Sequence, residues 1–507
     1  MNKTMIRIIS ALMVLLMAAA CFAGCADPAE KPDETQGGAA DATDAPAGDE
    51  TDAPEQSLED ILGFEIPELG KPFNVLHQTQ DSVADDIVVD AYDGDEVAVA
   101  IYERNMAIEE NFKTTINYVG SFTNWNSKAD DKKFLEAAAQ AGTNDYDMVY
   151  GAAIAMSTMM YSGLFHNLSD LEPINFDHTW WMKDIPGTYG IGDHIYGVMG
   201  DISRSYYAYL GMIAVNTTLA ENFDVQTAHG DLYQMVYDGK WTLDKMIEIG
   251  TGYGEDNGDG VMTLGDDVFG FIVKGVNGRL FLFSFEHEFI TRNETGDGVV
   301  IPNALDEKTI NSYEKLYEIC PKAGTGISPY CTYDTGAATL NAFAEDKLLM
   351  YTATFSDLGA ENIRNMASEY MILPMPKYDE NQEDYITPFA TGVAMALIPT
   401  TAVDAENSAK VMEYMGYYGE KNITPVYIEQ TLKLKYASDP QVMEMVQYII
   451  DRSAFTLTQV LIWNTSGYNL YAFGALNAVG SPNVASYYGS YRRVWQKQLN
   501  DLLKDLT

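Results

Sequence analysis

The chain has 507 residues, and 74 acidic against 31 basic side chains leave it a formal charge of −43. That balance argues against nucleic acid and against anionic membrane surfaces as partners, while saying little about fold. With 47% hydrophobic residues, the part beyond the N-terminal segments is long enough for two domains with full cores.

Residues 1–25 read as an export signal. Lys3 and Arg7 form a charged start, Ile8–Met17 an apolar stretch, and small residues lead to Cys25. The apolar stretch is too short to span a membrane. Phe22-Ala23-Gly24-Cys25 resembles the bacterial lipobox, in which the cysteine thiol is acylated and becomes the new N-terminus after cleavage; Phe22 stands where an aliphatic residue is usual. Cys21, after Ala18-Ala19-Ala20, is the rival site, and Cys25 is preferred because Ala-Gly-Cys meets the small-residue requirement better. Two acyl chains, palmitate among them, would hold the protein to a membrane without crossing it. Residues 26–61 are Asp, Glu, Ala, Pro, Gly and Thr for the most part, with Lys31 the only base. Such a segment cannot bury enough surface to offset its ordering entropy and is expected to be a disordered acidic linker, a self-repelling stalk.

The body, from residue 62, opens with strand–helix alternation. Phe73–Gln78 is a short apolar strand, and Val97, Ile101, Ile108 and Phe112 mark one face of a helix over roughly Glu96–Phe112. Thr115–Val119 is the next strand, Asp131–Ala141 the next helix, and Tyr146–Gly151 a third strand. This alternation predicts an α/β fold with a parallel sheet covered on both faces. Ligands bind outside the carboxyl ends of such strands, which puts His77, Gln78 and Gln80, then Gly151 and Ala152, at the mouth. Gln78 and Gln80 equally suit strand-end caps. His194–Asn216 is an apolar strand, the turn Gly200-Asp201, and a second apolar run at Tyr209–Val215. It is too long for one strand. It reads either as a plain hairpin or as a crossing from one domain's sheet to another's, with Asp201, Tyr206 and Tyr207 at the crossing.

AIYERNMAIEENF from Ala100, then YDMVYG, FDHTWWMK at Phe176–Lys183, HIYGVMGDIS, DGKWTLDKM at Asp238–Met246, LPMPKYDENQEDY at Leu373–Tyr385 and LKLKYASDPQVMEMV at Leu432–Val446 occur in that order. Together they resemble the extracellular solute-binding proteins of family 1, the sugar-type binding lipoproteins of ABC importers, in the branch common in anaerobic Gram-positive bacteria. The resemblance implies a two-lobe, type II periplasmic-binding-protein-like fold, similar to maltose-binding protein, with hinge crossings. Carried onto this chain, lobe 1 is 62–202 and 348–392, and lobe 2 is 203–347 and 393–507. The crossings are Gly200-Asp201, Leu348–Asp357 and Thr391–Ile398. The resemblance further implies a monomer, lipid-anchored on the extracellular face of the cell membrane, that captures a sugar or oligosaccharide and delivers it to ABC permease subunits. No cofactor is required and no bond is made or broken. The alternatives are a surface glycoside hydrolase and an oligopeptide-binding receptor.

A sugar site needs flat aromatic faces together with carboxylates or amides. Trp463, in a polar stretch, is the favoured stacking platform, and Trp125 a second candidate. Trp181 reads as core, and Trp241 and Trp495 as packing residues. Gly200, Asp201 and Tyr207 at the first crossing, and Phe355, Ser356 and Asp357 at the second, are candidate ligand contacts or else structural hinge residues. Glu255–Asp266 has the spacing of a twelve-residue calcium loop. Glu255, Asn257 and Asp259 take positions one, three and five, Gly260 the turn, the Val261 carbonyl position seven, Thr263 position nine and Asp266 the last. The bland alternative is an acidic turn without metal. Cys320 and Cys331 flank a Pro/Gly-rich loop and either pair, closing it, or stand as separate buried thiols. HExxH, GxSxG, GxxxxGK[ST] and paired CxxC are absent from the sequence, and Glu286-His287-Glu288 reads as a surface or strand-end feature.

Overall fold

The computed structural model describes residues 56–504 and 506, except 80, 90–94, 122–127, 320–327, 335, 391, 437–439 and 467–482. Gln80, Trp125, Cys320, the whole export signal with Cys21 and Cys25, and most of the stalk lie outside the described residues.

Ser57 and Asp60 cap each other's backbone N–H at the start of helix α1 (Leu58–Leu62), and Leu62 is buried. The linker expected to run to residue 61 therefore ends earlier, because Leu58, Ile61 and Leu62 supply enough apolar surface for a helical turn to pack on the body. Strand β1 (Phe73–Gln78) has the predicted bounds and pairs in parallel with β2 (Ile116–Ser121) and β3 (Met148–Ala152). Between β1 and β2 runs α2 (Glu96–Asn111), capped by Asp95, which accepts from Val97 N, and buried through Val97, Ala100, Ile101, Arg104 and Ile108. Helix α3 (Lys128–Ala141) joins β2 to β3. Strand β4 (Gly197–Val198) closes this first run.

The chain then enters a second sheet through β5 (Gly211–Asn216), buried at every position. Helix α4 (Leu243–Gly252), capped by Thr242, leads to β6 (Phe269–Lys274). The short pair β7 (Thr291–Arg292) and β8 (Val299–Val300) precedes β9 (Cys331–Asp334), β10 (Leu348–Thr354), helix α5 (Glu361–Asn365) and β11 (Tyr370–Pro374). After β12 (Thr387–Pro388) comes β13 (Ala394–Leu397). Then follow α6 (Ala405–Tyr418), a π turn at Gly419–Ile423, α7 (Thr424–Tyr436) and α8 (Pro440–Asp451). The last elements are β14 (Ser453–Ala454), which pairs with β12, and α9 (Val484–Leu503).

Two five-stranded sheets result, in the orders β2-β1-β3-β13-β4 and β11-β5-β10-β6-β9. They define two α/β lobes, each of discontinuous chain. The first crossing is where the sequence places it, between β4 and β5. The boundaries farther on need correction. β10 is buried at all seven positions, antiparallel to β5 and parallel to β6, so Leu348–Asp357 is a core strand of lobe 2 and its following turn. Residues 348–392 thus belong with lobe 2. The chain crosses between Ala390 and β13: Ala390 N donates to Tyr209 O at 2.7 Å, and β13 then inserts between β3 and β4, within the span expected at Thr391–Ile398, of which residue 391 lies outside the described residues. From residue 393 the chain is back in lobe 1, where Tyr414 of α6 meets Asn111 of α2 at 3.1 Å. It returns to lobe 2 with α8, which packs on β11. The misplacement has a physical cause: an apolar run flanked by small residues looks the same whether it fills a central strand or passes between lobes.

Candidate ligand cleft at the lobe crossing

The crossing is built on a close backbone approach. Asp201 N donates to Trp180 O and Met182 N to Met199 O, both at 2.8 Å. Gly200, at φ +149°, leaves no room for a side chain, since a Cβ there would lie 2.2 Å from Trp180 O. The two indoles that follow are fastened to one acid of α6. Glu413 is fully buried and accepts from Trp180 Nε1 at 2.7 Å, Trp181 Nε1 at 2.9 Å, Asn175 N at 2.9 Å, and contacts His178 Nδ1 at 2.9 Å. A buried carboxylate with this many partners is the arrangement that its desolvation demands.

Asp201 is 4% exposed, and its Oδ1 accepts from Tyr207 Oη at 2.9 Å and from Thr424 Oγ1 of α7. Burial pushes this carboxyl up to about 7, against the two hydrogen bonds that hold it down. Asp201 lies between β4 and β5, where the chain passes from one sheet to the other, and its carboxylate is buried and engaged by Tyr207 and Thr424. A second buried network lies beside it. Asp86, 1% exposed, accepts from Tyr150 Oη at 3.0 Å, Ser203 Oγ at 2.6 Å and Arg204 Nε at 3.1 Å. Arg104 of α2 donates to Ile202 O at 3.1 Å and Asp86 O at 3.2 Å. The loop after β1 is thereby tied to the crossing.

Against these networks lies a recess of about 360 Å³ walled by both lobes. Lobe 1 contributes Asp85, Asp86, Asp95, Val97, Tyr427 and Gln430; lobe 2 contributes Ser356, Gly359 and Arg364; the crossing contributes Arg204, Ser205, Ala208 and Tyr209. Arg204 spans the wall, with Nη2 3.4 Å from Asp85 Oδ2 while Nε holds Asp86. Carboxylate, guanidinium, amide, phenol and hydroxyl groups thus converge on a space of small-ligand size, the donor and acceptor set that a polyhydroxylated solute requires.

The other sequence candidates fall elsewhere. Gln78 is 3% exposed, and its Oε1 accepts from Ala152 N at 2.9 Å, so it caps the end of β3. Phe355 is buried, and Asp357 caps its own helical turn through Thr354 N at 3.0 Å while pairing with Lys274. Of that triplet only Ser356 lines the recess. Trp463 is half-buried, and the Arg279 guanidinium lies 5.5 Å from its ring centroid. Burial brings Arg279 down to about 9. Trp181, Trp241 and Trp495 are buried packing residues, as read. The sequence reading passed over Arg204, Tyr209, Arg364, Tyr427 and Gln430. Arg204 and Tyr209 sit inside the stretch singled out as the crossing, whereas nothing local marks the other three.

A larger recess, about 750 Å³, lies wholly on lobe 2 and is lined by charged groups, among which Lys245 pairs with Glu248 and Lys240 with Asp238. In the acidic loop, Gly260 has φ +81°, Asn257 Oδ1 accepts from Asp259 N at 3.0 Å, and Asp259 Oδ1 accepts from Val261 N at 2.8 Å. Asp267, outside the expected ligand set, accepts from Asn257 N at 2.8 Å and Thr263 N at 2.6 Å and ties the two ends together. Among the described residues no three His, Cys, Asp or Glu side chains converge as a metal group, so Glu255, Asp259 and Asp266 do not form one by themselves. Cys331 is a free buried thiol that donates to Gly250 O at 3.2 Å. His287 is buried between Thr309 Oγ1 and Ser312 Oγ, both at 3.0 Å, and burial brings it down to about 4.

No protein-family model matches the chain, and no curated protein matches it. Solved structures do. The galacto-N-biose/lacto-N-biose I-binding protein of the ABC transporter from Bifidobacterium longum, in complex with lacto-N-biose, is 12% identical, with a TM-score of 0.53 over 86% of this chain and 97% of that one. An ABC substrate-binding protein from Listeria monocytogenes, in complex with cycloalternan, is 11% identical, with a TM-score of 0.52 over 86% and 99%. The maltose/maltodextrin-binding domain from Bdellovibrio bacteriovorus, bound to maltotriose, is 14% identical, with a TM-score of 0.50 over 84% and 99%. At these identities the likeness concerns the fold, and the chain has the two-lobe α/β architecture of the maltose-binding-protein type.

Proposed function

We propose that the chain is the extracellular binding protein of an ABC importer, capturing a sugar or oligosaccharide between its lobes and passing it to the permease. The observation that carries this is the polar recess at the crossing, walled by both lobes of a fold whose similar structures hold lacto-N-biose, cycloalternan and maltotriose. Open and closed forms exchange, and a solute touching Tyr427 or Gln430 on one side and Ser356 on the other favours the closed one. The solute leaves unchanged, and no catalytic step is part of the reading. No helix among the described residues is long and apolar enough to cross a membrane, which suits attachment through acylated Cys25 on the outer face. The permease would meet the lobe rims around the cleft. The loop Glu255–Asp266 is proposed to take a structural Ca²⁺, with Asn257 and the Val261 carbonyl supplementing its carboxylates.

The test is a thermal-shift screen of the full chain against mono- and oligosaccharides, with short peptides as controls. A solute that binds only the folded state raises the melting temperature by mass action. A shift with one glycan class, recovered intact by chromatography, supports the reading. A shift with peptides alone, or recovery of shortened glycans, overturns it in favour of a peptide receptor or a glycoside hydrolase.

A further inference from the structure

The recess has an uneven distribution of charge. On the lobe 1 side Asp85 is 61% exposed, and its contact with Arg204 Nη2 is a long one at 3.4 Å. Arg204 is better held by Asp86, whose side chain is fully buried and only 3.1 Å from Nε. On the lobe 2 side stands Arg364, in the short helix α5. Ile363 anchors that helix in the core, while Arg364 itself is exposed. Among the described residues its guanidinium makes no hydrogen bond or ion pair. Arg364 is thus a base without a carboxylate partner among the described residues, at the edge of a recess whose far wall carries the exposed Asp85.

We infer that Arg364 is a positioning residue for closure: when the lobes approach, its guanidinium pairs with the Asp85 carboxylate across the recess and helps hold the closed form. This rests on the reading that the lobes open and close around a solute, but the pairing itself needs no solute. A guanidinium presents a planar fork of donors, and a carboxylate can accept several hydrogen bonds, so Asp85 can receive Arg364 while keeping Arg204. Pairing across the recess also removes the cost of bringing a lone charge into a narrowing, drier space. The approach must be close, because in salt solution two such charges lose most of their attraction beyond about 8–10 Å. Closure supplies that approach, and opening takes it away.

The test measures the open–closed distribution of the full chain with no solute present. Spin labels are introduced at exposed Met106 in lobe 1 and Tyr237 in lobe 2, through keto-bearing residues that leave the native cysteines alone. Their separation is then read by double electron–electron resonance. Arg364→Glu is expected to lower the closed-to-open ratio by about three- to tenfold, the range of a partly exposed ion pair replaced by a repulsion. Arg364→Lys, which keeps the charge, should recover most of the ratio, and Arg364→Glu made in an Asp85→Asn background should change the ratio far less than it does in wild type. Raising the salt should narrow the gap between wild type and Arg364→Glu. Unchanged distances in Arg364→Glu, or an effect of that change as large in the Asp85→Asn background as in wild type, would overturn the pairing. Because the readout involves no sugar, a failed glycan screen and a failed pairing remain distinguishable. Loss of glycan affinity in Arg364→Glu with an unchanged distribution would also count against the pairing and assign Arg364 to the solute.

Discussion

Asp201→Asn isolates the charge at the hinge from its hydrogen bonds. In the folded protein burial holds this carboxyl at about 7, against an ordinary value of 3.8. A group whose folded value is raised binds its proton more tightly when folded. Its contribution is therefore fully favourable below the unfolded value and is lost as pH rises through about 7. At about 1.4 kcal/mol per unit, a difference of some three units amounts to roughly 4 kcal/mol as an upper bound, with most of the loss falling between about pH 4 and pH 7. Asparagine keeps an acceptor for Tyr207 Oη and Thr424 Oγ1 but carries no charge at any pH. The variant should thus match wild type below about pH 4, draw ahead as pH rises, and be the more stable of the two by up to a few kcal/mol at about pH 7–8. Urea unfolding at pH 4, 5, 6, 7 and 8 at fixed ionic strength measures this. Taking the difference between the two proteins removes the pH dependence that the rest of the 74 acids contribute to both. Parallel stability curves, with a constant gap across the series, would show that Asp201 does not titrate in this range and would refute the account of a buried, charge-averse hinge.

Other substitutions probe the same elements. Gly200→Ala forces a Cβ against Trp180 O and should cost about 2–4 kcal/mol, read as a fall in melting temperature. A loss below about 0.5 kcal/mol would mean that the close approach is not needed. Glu413→Gln cannot satisfy two indoles, Asn175 N and His178 at once, so a loss of about 1–3 kcal/mol is expected, with a shift in tryptophan emission. Gln430→Ala should weaken binding of whichever glycan the screen identifies by about tenfold, the worth of roughly one good hydrogen bond, without moving the melting temperature of the free protein. Calcium at about 100 times its dissociation constant should add about 2.7 kcal/mol of stability that Asp259→Ala removes. Equal melting temperatures in calcium and in chelator would withdraw the ion.

The fold was legible where one local pattern has one structural meaning. Phe73–Gln78 alternates with helices and sits between turn signals, and it forms β1 at the predicted bounds. The Gly200-Asp201 turn between two apolar runs is a crossing because each run fills a different sheet. Leu348–Thr354 shows the limit of that reasoning. Its seven apolar and small residues satisfy a buried central strand and a hinge strand alike, and only the pairing with β5 and β6 decides between them. The site was harder to read for a related reason. A carboxylate at a candidate position can face the solute or serve the fold, and the deciding partners lie far away in sequence: Thr424 for Asp201, and Lys274 for Asp357. Those partners engage the acids whose positions stood out, leaving the recess to residues such as Arg364 and Gln430 whose neighbours give no warning. Asp201, the acid most visible in the sequence near the crossing, is one the structure buries to hold the hinge, and the walls of the recess are completed by helices whose lobe is fixed only by tertiary packing.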